Sequence, residues 1–214
     1  MLELYYYFIQ PLKLFIHYNS WWIIWNLFLA FMPVILSFLL FRKKPIFYFL
    51  WGILFFTFLV FLPNAPYTLT DIIHLVRDIR SNYYSLPLIC FILIPIYLIF
   101  MLIGFQCYVI SLINMGHFLN IQGWGKFITI TELVLHFLSS IGIFLGRFFR
   151  FNTWDLVTQP DIITRSLDEL LGKLPIAFIM VMFVVITVLY WVMKQVNLAL
   201  IFYYKYQKST GNYS

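Results

Sequence analysis

Three side chains able to carry protons or bind metal follow one another at helical spacing in the first half of the chain. Asp71, His74 and Asp78 occupy positions i, i+3 and i+7, so a helix would present them on one side. A histidine between two carboxylates can bind a divalent metal or transfer a proton. Any charged helix face can also produce this spacing. The pattern therefore marks a candidate site, and we predict neither a metal nor a cofactor from it.

An amphipathic helix must position these residues. From residue 69 to residue 80 the apolar and polar side chains separate onto two faces, which predicts a helix lying on a surface. The polar face carries Asp71, His74, Arg77 and Asp78. A connector resting on a membrane would explain the apolar face without any chemistry.

The residues before this helix predict a break in the chain. Pro63 and Pro66 cannot donate backbone hydrogen bonds and disfavour helical geometry in the residue before each. Asn64 suits the resulting turn. Thr68 and Asp71 have the spacing of a capping box, with Asp in the usual place of Glu. We therefore expect an apolar helix to end near residue 62 and a new helix to begin near residue 68.

A second polar group lies on one side of a later apolar segment. At about 100° per residue, its polar and small residues fall within an arc of roughly 160°. They are Thr129, Glu132, His136, Ser139, Ser140, Gly142, Gly146 and Arg147. Charge at membrane depth is costly, so this stripe should face other helices or a water-filled cavity. We expect Glu132 and His136, one turn apart, to pair directly, and the two glycines to admit a close neighbouring helix.

A third motif, "GRFFRFNTWD", follows that segment directly. Its arginines, Arg147 and Arg150, can line the mouth of a cavity or pair with lipid phosphate. Asn152 or Thr153 can cap a following short helix. In a chain that crosses a membrane five times, the loops after spans two and four emerge on the same side. A shared polar vestibule is then predicted from Asn64, Asp71, His74, Arg77, Arg147, Arg150, Asn152 and Asp155.

The composition places all these motifs in a membrane protein. Of 214 residues, 63% are hydrophobic and 10% are charged, too apolar for a soluble domain. The long apolar runs lack the alternation of barrel strands, so we predict an all-α polytopic bundle. Five spans of adequate length occur in a single integral membrane domain covering 1–214. They lie near 21–41, 46–62, 86–113, 127–148 and 175–196.

Two parts of this span assignment leave alternatives. The third span contains Pro95, and its length fits one kinked helix or a span followed by a re-entrant segment. The aromatic segment "LYYYFIQPLKLFIHY" is too short to cross a membrane, so we expect it to lie at the interface. Cys90 and Cys107 would stand roughly 25 Å apart on a helix, too far for a disulfide.

The basic residues predict a membrane orientation and exclude one class of partner. The formal net charge of +6 is distributed over the segments between apolar runs, which is typical of juxtamembrane residues and not of nucleic-acid binding. Lys and Arg divide evenly between the two sides of a five-span arrangement. Near the first span, however, Arg42, Lys43 and Lys44 outnumber Lys13, which places the first loop and the C-terminus in the cytoplasm.

The two motif segments resemble a known family. "FLPNAPYTLTDIIHL" and "LGRFFRFNTWD" are similar to sequences of the bacterial membrane-protein family called domain of unknown function 1361, and the likeness in length and motif order covers most of the chain. Thr153 departs from the serine expected there, although both hydroxyls can cap a helix. The resemblance implies a multi-pass protein of the bacterial inner or plasma membrane and supplies no catalytic residue.

Three functions are compatible with the sequence. A non-enzymatic membrane component, such as a scaffold, sensor or subunit, is favoured, with the lipid bilayer and a membrane-protein partner or a homo-oligomer as partners. A small transporter or binder of an anion, proton or lipid headgroup would use the polar vestibule. An intramembrane enzyme would use Asp71 and His74. The motifs of lipid-phosphate phosphatases, rhomboid proteases and zinc metalloproteases are absent from the sequence.

Overall fold

The computed structural model describes residues 9–42, 47–81, 83–149 and 172–210. Among these residues the secondary structure is helical and no strand occurs. Five helical stretches are long and apolar enough to cross a membrane. They are Gln10–Phe41, Tyr48–Arg80, Leu86–Ile121, Gly125–Phe148 and Lys173–Ser209. The predicted all-α bundle with five spans is therefore confirmed.

The first helix, α1, spans Gln10–Phe41 and begins earlier than predicted. The aromatic segment from residue 10 onward is part of this continuous helix, so the expectation of a separate interfacial segment was wrong for these residues. Pro11 stands in the first turn, where its missing N–H is not needed and its fixed φ suits a helix. Phe15 is buried there, which shows that packing as well as lipid contact holds this part of α1.

The second span and the motif after it form one run of helical turns. Helix α2 covers Tyr48–Phe61, α3 covers Asn64–Tyr67, a 3₁₀ turn covers Thr68–Asp71 and α4 covers Ile72–Arg80. Helix α2 ends at Phe61, close to the predicted end near residue 62, but helical turns resume at Asn64 and not at residue 68. Leu62 itself keeps helical angles of φ −54° and ψ −41°. The expectation that Pro63 would force it out of helical geometry was wrong, because the steric preference before proline is weaker than the packing around Leu62, which is 1% exposed.

The third span is a single helical stretch. Helix α5, Leu86–Leu88, continues through a π-helical turn over Ile89–Leu93 into α6, Ile94–Ile121. Pro95 is the second residue after the π turn. Proline lacks the N–H of the regular ladder, and a wider turn before it accommodates that loss. Of the two alternatives left by the sequence, the continuous helix is observed.

The last two spans are α7, Ile128–Phe148, and α8, Lys173–Thr210. A 3₁₀ turn, Gly125–Phe127, connects α6 to α7, and Gly123 within this connection adopts φ +79°, which glycine tolerates without steric cost. Helix α7 ends at the predicted residue 148 and begins one residue after the predicted start at 127. Helix α8 extends well beyond the predicted end at residue 196.

The bundle is built around α6. Helix α1 packs along α6 and α2, and α7 packs against α8 and against α6. The main apolar core takes buried side chains from α1, α2, α6, α7 and α8, among them Leu40, Phe58, Tyr108, Ile143 and Ile186. A second, smaller core lies between the start of α1, α4 and the α5–α6 stretch. The segment after α2 contributes to both cores, since Ala65 belongs to the main core and Leu75 to the smaller one.

Amide and guanidinium groups connect the helices to α6 at separate levels. Asn114 accepts a hydrogen bond of 2.9 Å from Arg42 Nε and donates one of 2.9 Å to Ser37. Gln106 and Asn197 exchange two amide hydrogen bonds, at 2.6 and 3.2 Å. Such bonds satisfy polar groups inside an apolar bundle and fix the register of neighbouring helices.

Candidate functional site

The motif segment 63–71 is packed inside the bundle. Ala65 and Thr68 are fully buried and Asp71 is 1% exposed. Asp71 bonds to Asn26, half-way along α1, and Thr68 contacts Gly104 in α6. The segment is therefore an internal element that enters the bundle, and only the following α4 has the predicted surface position.

The predicted capping box is not formed. Thr68 Oγ1 donates a hydrogen bond of 2.8 Å to the carbonyl of Ala65, within its own turn. Neither the 3₁₀ turn nor α4 has a side-chain cap. The Asp71 carboxylate bonds to side chains of other helices. Helical turns already precede Thr68, because the Tyr67 N–H bonds to the carbonyl of Pro63 and the Thr68 N–H bonds to that of Pro66. Thr68 therefore does not stand at the start of a helix, where a cap is needed.

Two glycines let the motif segment approach its neighbours. A side-chain carbon added at Gly104 would overlap the side chain of Thr68. A carbon added at Gly142 would lie 2.8 Å from Cβ and Cγ of Pro63. The close approach predicted for the α7 glycines is confirmed at Gly142, and its partner is the proline motif.

Asp71 and Arg147 form an ion pair between the motif segment and the end of α7. Arg147 Nη2 donates a hydrogen bond of 2.6 Å to Asp71 Oδ1, and Asn26 Nδ2 donates one of 3.0 Å to Asp71 Oδ2. Both oxygens of a carboxylate that is 1% exposed therefore have charged or polar partners. The predicted convergence of the loops after spans two and four is observed at these residues.

Two further contacts orient the arginine. Arg147 donates to Thr70 Oγ1 from both Nε and Nη2, at 3.1 and 2.5 Å. Its guanidinium carbon lies 4.5 Å from the ring centre of Tyr67, a cation–π geometry. We call the group of Asn26, Tyr67, Thr70, Asp71 and Arg147 the clasp. It joins α1, the motif segment and α7.

His74 lies beside the clasp and connects it to Arg77. Arg77 Nη2 donates 3.1 Å to His74 Nδ1. A guanidinium only donates, so Nδ1 is the unprotonated nitrogen and the ring proton is on Nε2. This nitrogen lies 3.8 Å from Asp71 Oδ1. Trp22 stacks on the ring at 4.4 Å between centres, which fixes its plane.

Asp78 belongs to a different contact. It accepts a hydrogen bond of 2.8 Å from the hydroxyl of Tyr97 in the smaller core. The described residues contain no group of three or more His, Cys, Asp or Glu side chains that could hold a metal ion. Asp71, His74 and Asp78 do share one side of the helical run, and each is engaged by a different neighbour.

The vestibule residues divide into three groups. Asp71, His74 and Arg147 are brought together as described. Asn64, at the start of α3, is half-buried, and Arg77 is exposed. The remaining three predicted residues lie outside the part of the chain that the structure describes; they are Arg150, Asn152 and Asp155. A vestibule formed by all eight stays a prediction.

Glu132 makes its contacts with α8. Its Oε1 accepts a hydrogen bond of 2.6 Å from the Tyr190 hydroxyl. Lys194 Nζ lies 2.7 and 2.9 Å from the two carboxylate oxygens of Glu132. The expected direct pair with His136 was wrong. Helix α8 supplies a cation and a hydroxyl, which compensate a buried carboxylate better than a neutral imidazole can.

His136 makes its contact with α6. The Tyr108 hydroxyl and His136 Nδ1 share a hydrogen bond of 2.8 Å, and Ser139 Oγ lies 3.3 Å from the same hydroxyl. The His136 ring centre lies 4.7 Å from that of Tyr190, which also bonds to Glu132. We call this group the core network. It consists of Tyr108, Glu132, His136, Ser139, Tyr190 and Lys194.

The polar stripe of α7 faces the bundle as predicted. Glu132, His136, Ser139 and Ser140 are buried, whereas Val134, Phe137 and Leu138 on the other side are exposed. Thr129, at the start of the helix, is also exposed. Ser140 is satisfied by the carbonyl of His136 in its own helix.

Sequence reasoning missed the partners of both polar groups. Lys194 lies in an apolar run, and a cation at membrane depth requires a compensating acid. That rule could have pointed to Glu132. Asn26 is a comparable signal inside α1. Tyr108 and Tyr190 gave no such signal, because aromatic residues make up 22% of the chain.

A chain with five helical stretches long and apolar enough to cross a membrane, and with no strand among its described residues, is a multi-pass α-helical membrane protein. It belongs to the family described as protein of unknown function DUF1361, whose sequence profile matches residues 25–189. That range includes the clasp and the α6 and α7 residues of the core network, and it ends before Tyr190 and Lys194. The resemblance seen in the two motifs is confirmed. No curated protein and no solved structure matches the chain.

Proposed function

We propose that this protein is a non-enzymatic component of its membrane, a scaffold, sensor or subunit that presents a fixed helical surface to a protein partner or to a second copy. The observation that carries this proposal is the clasp. Asp71 is the residue best placed for acid–base chemistry. Both of its carboxylate oxygens accept hydrogen bonds, one from Arg147 and the other from Asn26.

The other buried acids have the same character. Glu132 is bonded to Tyr190 and Lys194, and Asp78 to Tyr97. Among the described residues, every buried side-chain nitrogen or oxygen has a hydrogen-bond partner within the protein. Satisfied polar networks inside an apolar bundle specify one arrangement of helices, which is what a surface for partner recognition requires.

Purification in a mild detergent tests this proposal. We expect a second membrane protein, or a defined oligomer of this chain, to remain bound in stoichiometric amount. Recovery of a monomer with lipid alone contradicts the proposal. A variant, Asp71→Asn, distinguishes the proposed non-enzymatic role from an enzymatic one. If it abolishes the cellular phenotype while protein abundance and the associated partner are both unchanged, an intramembrane enzyme using Asp71 and His74 is the better account.

The core network supports a second candidate, a small transporter or binder of a proton or anion. It places a lysine, a glutamate, a histidine and two tyrosines in contact between α6, α7 and α8, and such chains in membrane proteins mark proton and ion pathways. The test is flux into liposomes that contain the purified protein. Glu132→Gln should change flux across about pH 5 to 8, and equal flux in both proteins contradicts this function.

The membrane we infer is the bacterial inner or plasma membrane. Helical spans support it, because proteins of the bacterial outer membrane cross it as closed β-barrels. The resemblance of both motifs to a bacterial family supports it as well. Fractionation of inner and outer membranes tests the assignment, and recovery in the outer-membrane fraction contradicts it.

A further inference from the structure

Helix α4 carries an exposed groove with two chemically different halves. The groove is lined by Ile73, Val76, Arg77, Arg80 and Ser81 and has a volume of about 410 Å³. We call it the α4 groove. Ile73 is 55% exposed and Val76 39% exposed, and both arginines are exposed. None of the clasp residues lines it.

The arginines lack a protein counter-ion in the described structure. All three carboxylates of the described residues, on Asp71, Asp78 and Glu132, are buried and bonded elsewhere. Arg80 makes no hydrogen bond or ion pair within the described residues, and Arg77 makes one hydrogen bond, to His74. Two adjacent cations with open donor groups fit an external anion.

The geometry of α4 places the cations and the apolar surface side by side. Arg77 and Arg80 are three residues apart, and Ile73 precedes Arg77 by four, so these three side chains lie along one stripe of the helix. Ile72 and Ile79 extend the apolar surface next to the groove. An occupant must therefore combine a negative group with an apolar body.

We propose that the α4 groove binds an anionic phospholipid, whose phosphoryl group bonds to Arg77 and Arg80 while an acyl chain lies along Ile73 and Val76. A phospholipid has this combination of groups and is always present around a membrane-spanning chain. The site lies outside the clasp and the core network, and lipid binding there does not require the proposed function.

A second copy of the chain fits the α4 groove less well. A symmetric contact through α4 would bring Arg77 and Arg80 of one copy against the same residues of the other. Like charges at an interface are costly when no acid separates them. The single acid on α4, Asp78, is held by Tyr97 inside the protein and cannot serve.

The lipid contact also reaches the clasp. Arg77 holds the Nδ1 lone pair of His74, and the opposite ring nitrogen lies 3.8 Å from Asp71. A phosphate bound at Arg77 would compete for its guanidinium and change the polarity around His74 and Asp71. Lipid composition at the α4 groove would then affect the clasp through one side chain.

Photo-crosslinking tests the site with a defined lipid. The purified full chain is placed in phosphatidylcholine vesicles that contain a minority of phosphatidylglycerol with a photoreactive acyl chain. We expect crosslinks on residues 72–81. The double variant Arg77→Gln/Arg80→Gln should reduce them by roughly tenfold or more, because each basic residue near an anionic lipid contributes on the order of fivefold in binding.

Three controls define the outcomes. Lys126→Gln, which changes an exposed lysine in the turn before α7, should leave the crosslinks unchanged, and Arg80→Lys should retain most of them. Photoreactive phosphatidylcholine that labels residues 72–81 equally well overturns the proposal. So does complete competition by free inorganic phosphate, which would indicate a general anion site, or a protein-to-protein crosslink through α4.

Discussion

Arg147, at the end of α7, donates a 2.6 Å hydrogen bond to Asp71, which lies in the turn between α3 and α4. The two residues are 76 positions apart in the chain. Their contact brings together the two sequence motifs that characterise the protein. Because Asn26 of α1 bonds to the other oxygen of Asp71, one carboxylate fixes three elements of the bundle.

Removing one partner of the clasp should be costly. Asp71→Asn leaves the Arg147 guanidinium without its counter-charge, and we expect a loss of about 3–5 kcal/mol of stability. Thermal unfolding in detergent measures this. Replacing both groups, as in Asp71→Leu/Arg147→Met, should recover much of the loss, because no charge is then left unpaired. The exposed Arg80→Gln is the matched control, and equal unfolding temperatures for Asp71→Asn and Arg80→Gln contradict the prediction.

Gly142 should not tolerate a side chain. A methyl group there meets Pro63 at 2.8 Å, and overpacking of this kind costs about 1–3 kcal/mol. We expect Gly142→Ala to lower the unfolding temperature. Gly52, in the middle of α2, has nothing within 4 Å of an added carbon, so Gly52→Ala should be neutral or slightly stabilising. If Gly142→Ala and Gly52→Ala have the same unfolding temperature, α7 does not contact the proline motif as described.

Glu132 and Lys194 should show energetic coupling. Each single change, Glu132→Gln or Lys194→Met, leaves one charge in the bundle without its partner. The double variant should lose less stability than the sum of the single changes, by about 0.5–3 kcal/mol. A double-mutant cycle from unfolding in detergent gives this value. Lys208→Gln, at the exposed end of α8, serves as the unpaired control, and simple additivity with Glu132→Gln is expected for it. Additivity in the Glu132/Lys194 cycle contradicts the ion pair.

The two cysteines should differ in reactivity. Cys90 is exposed on the α5–α6 stretch, whereas Cys107 is 3% exposed in the core. A thiol reagent that partitions into detergent micelles should label Cys90 in the folded protein and Cys107 only after denaturation. Mass spectrometry of the labelled peptides reads this directly. Rapid labelling of Cys107 under native conditions would mean that α6 is not at the centre of the bundle.

The helical spans could be predicted because apolar length and polar periodicity are local properties of the sequence. The arc on α7 predicted which face is buried, and the parity of five spans predicted that Arg147 and Asp71 lie on the same side. These inferences needed only the count of crossings and the helical period.

The partners of the buried polar side chains were harder to predict, because they depend on which helices are in contact. The Glu132–His136 pair was suggested by their spacing along one helix, but Lys194 lies 2.7 Å from the Glu132 carboxylate in the folded chain and carries a full charge. Similarly, Thr68 and Asp71 match a local capping pattern, but the Asp71 carboxylate bonds to residues of α1 and α7 and does not cap a helix. Tertiary partners override a local pattern when they offer charge in a buried site.

The contact between the motif segment and α7 is the central claim, and a disulfide between Pro63→Cys and Gly142→Cys tests it most directly. The pair is introduced with Cys90→Ser and Cys107→Ser, and oxidation is carried out in membranes. The structure predicts intramolecular bond formation, because an added carbon at Gly142 lies 2.8 Å from Cβ of residue 63 and a disulfide needs these two atoms only about 1 Å further apart. The control pair Gly52→Cys/Gly142→Cys should not react within one chain. Failure of the first pair to bond, with both thiols reactive toward a small reagent, would contradict the fold and the clasp together.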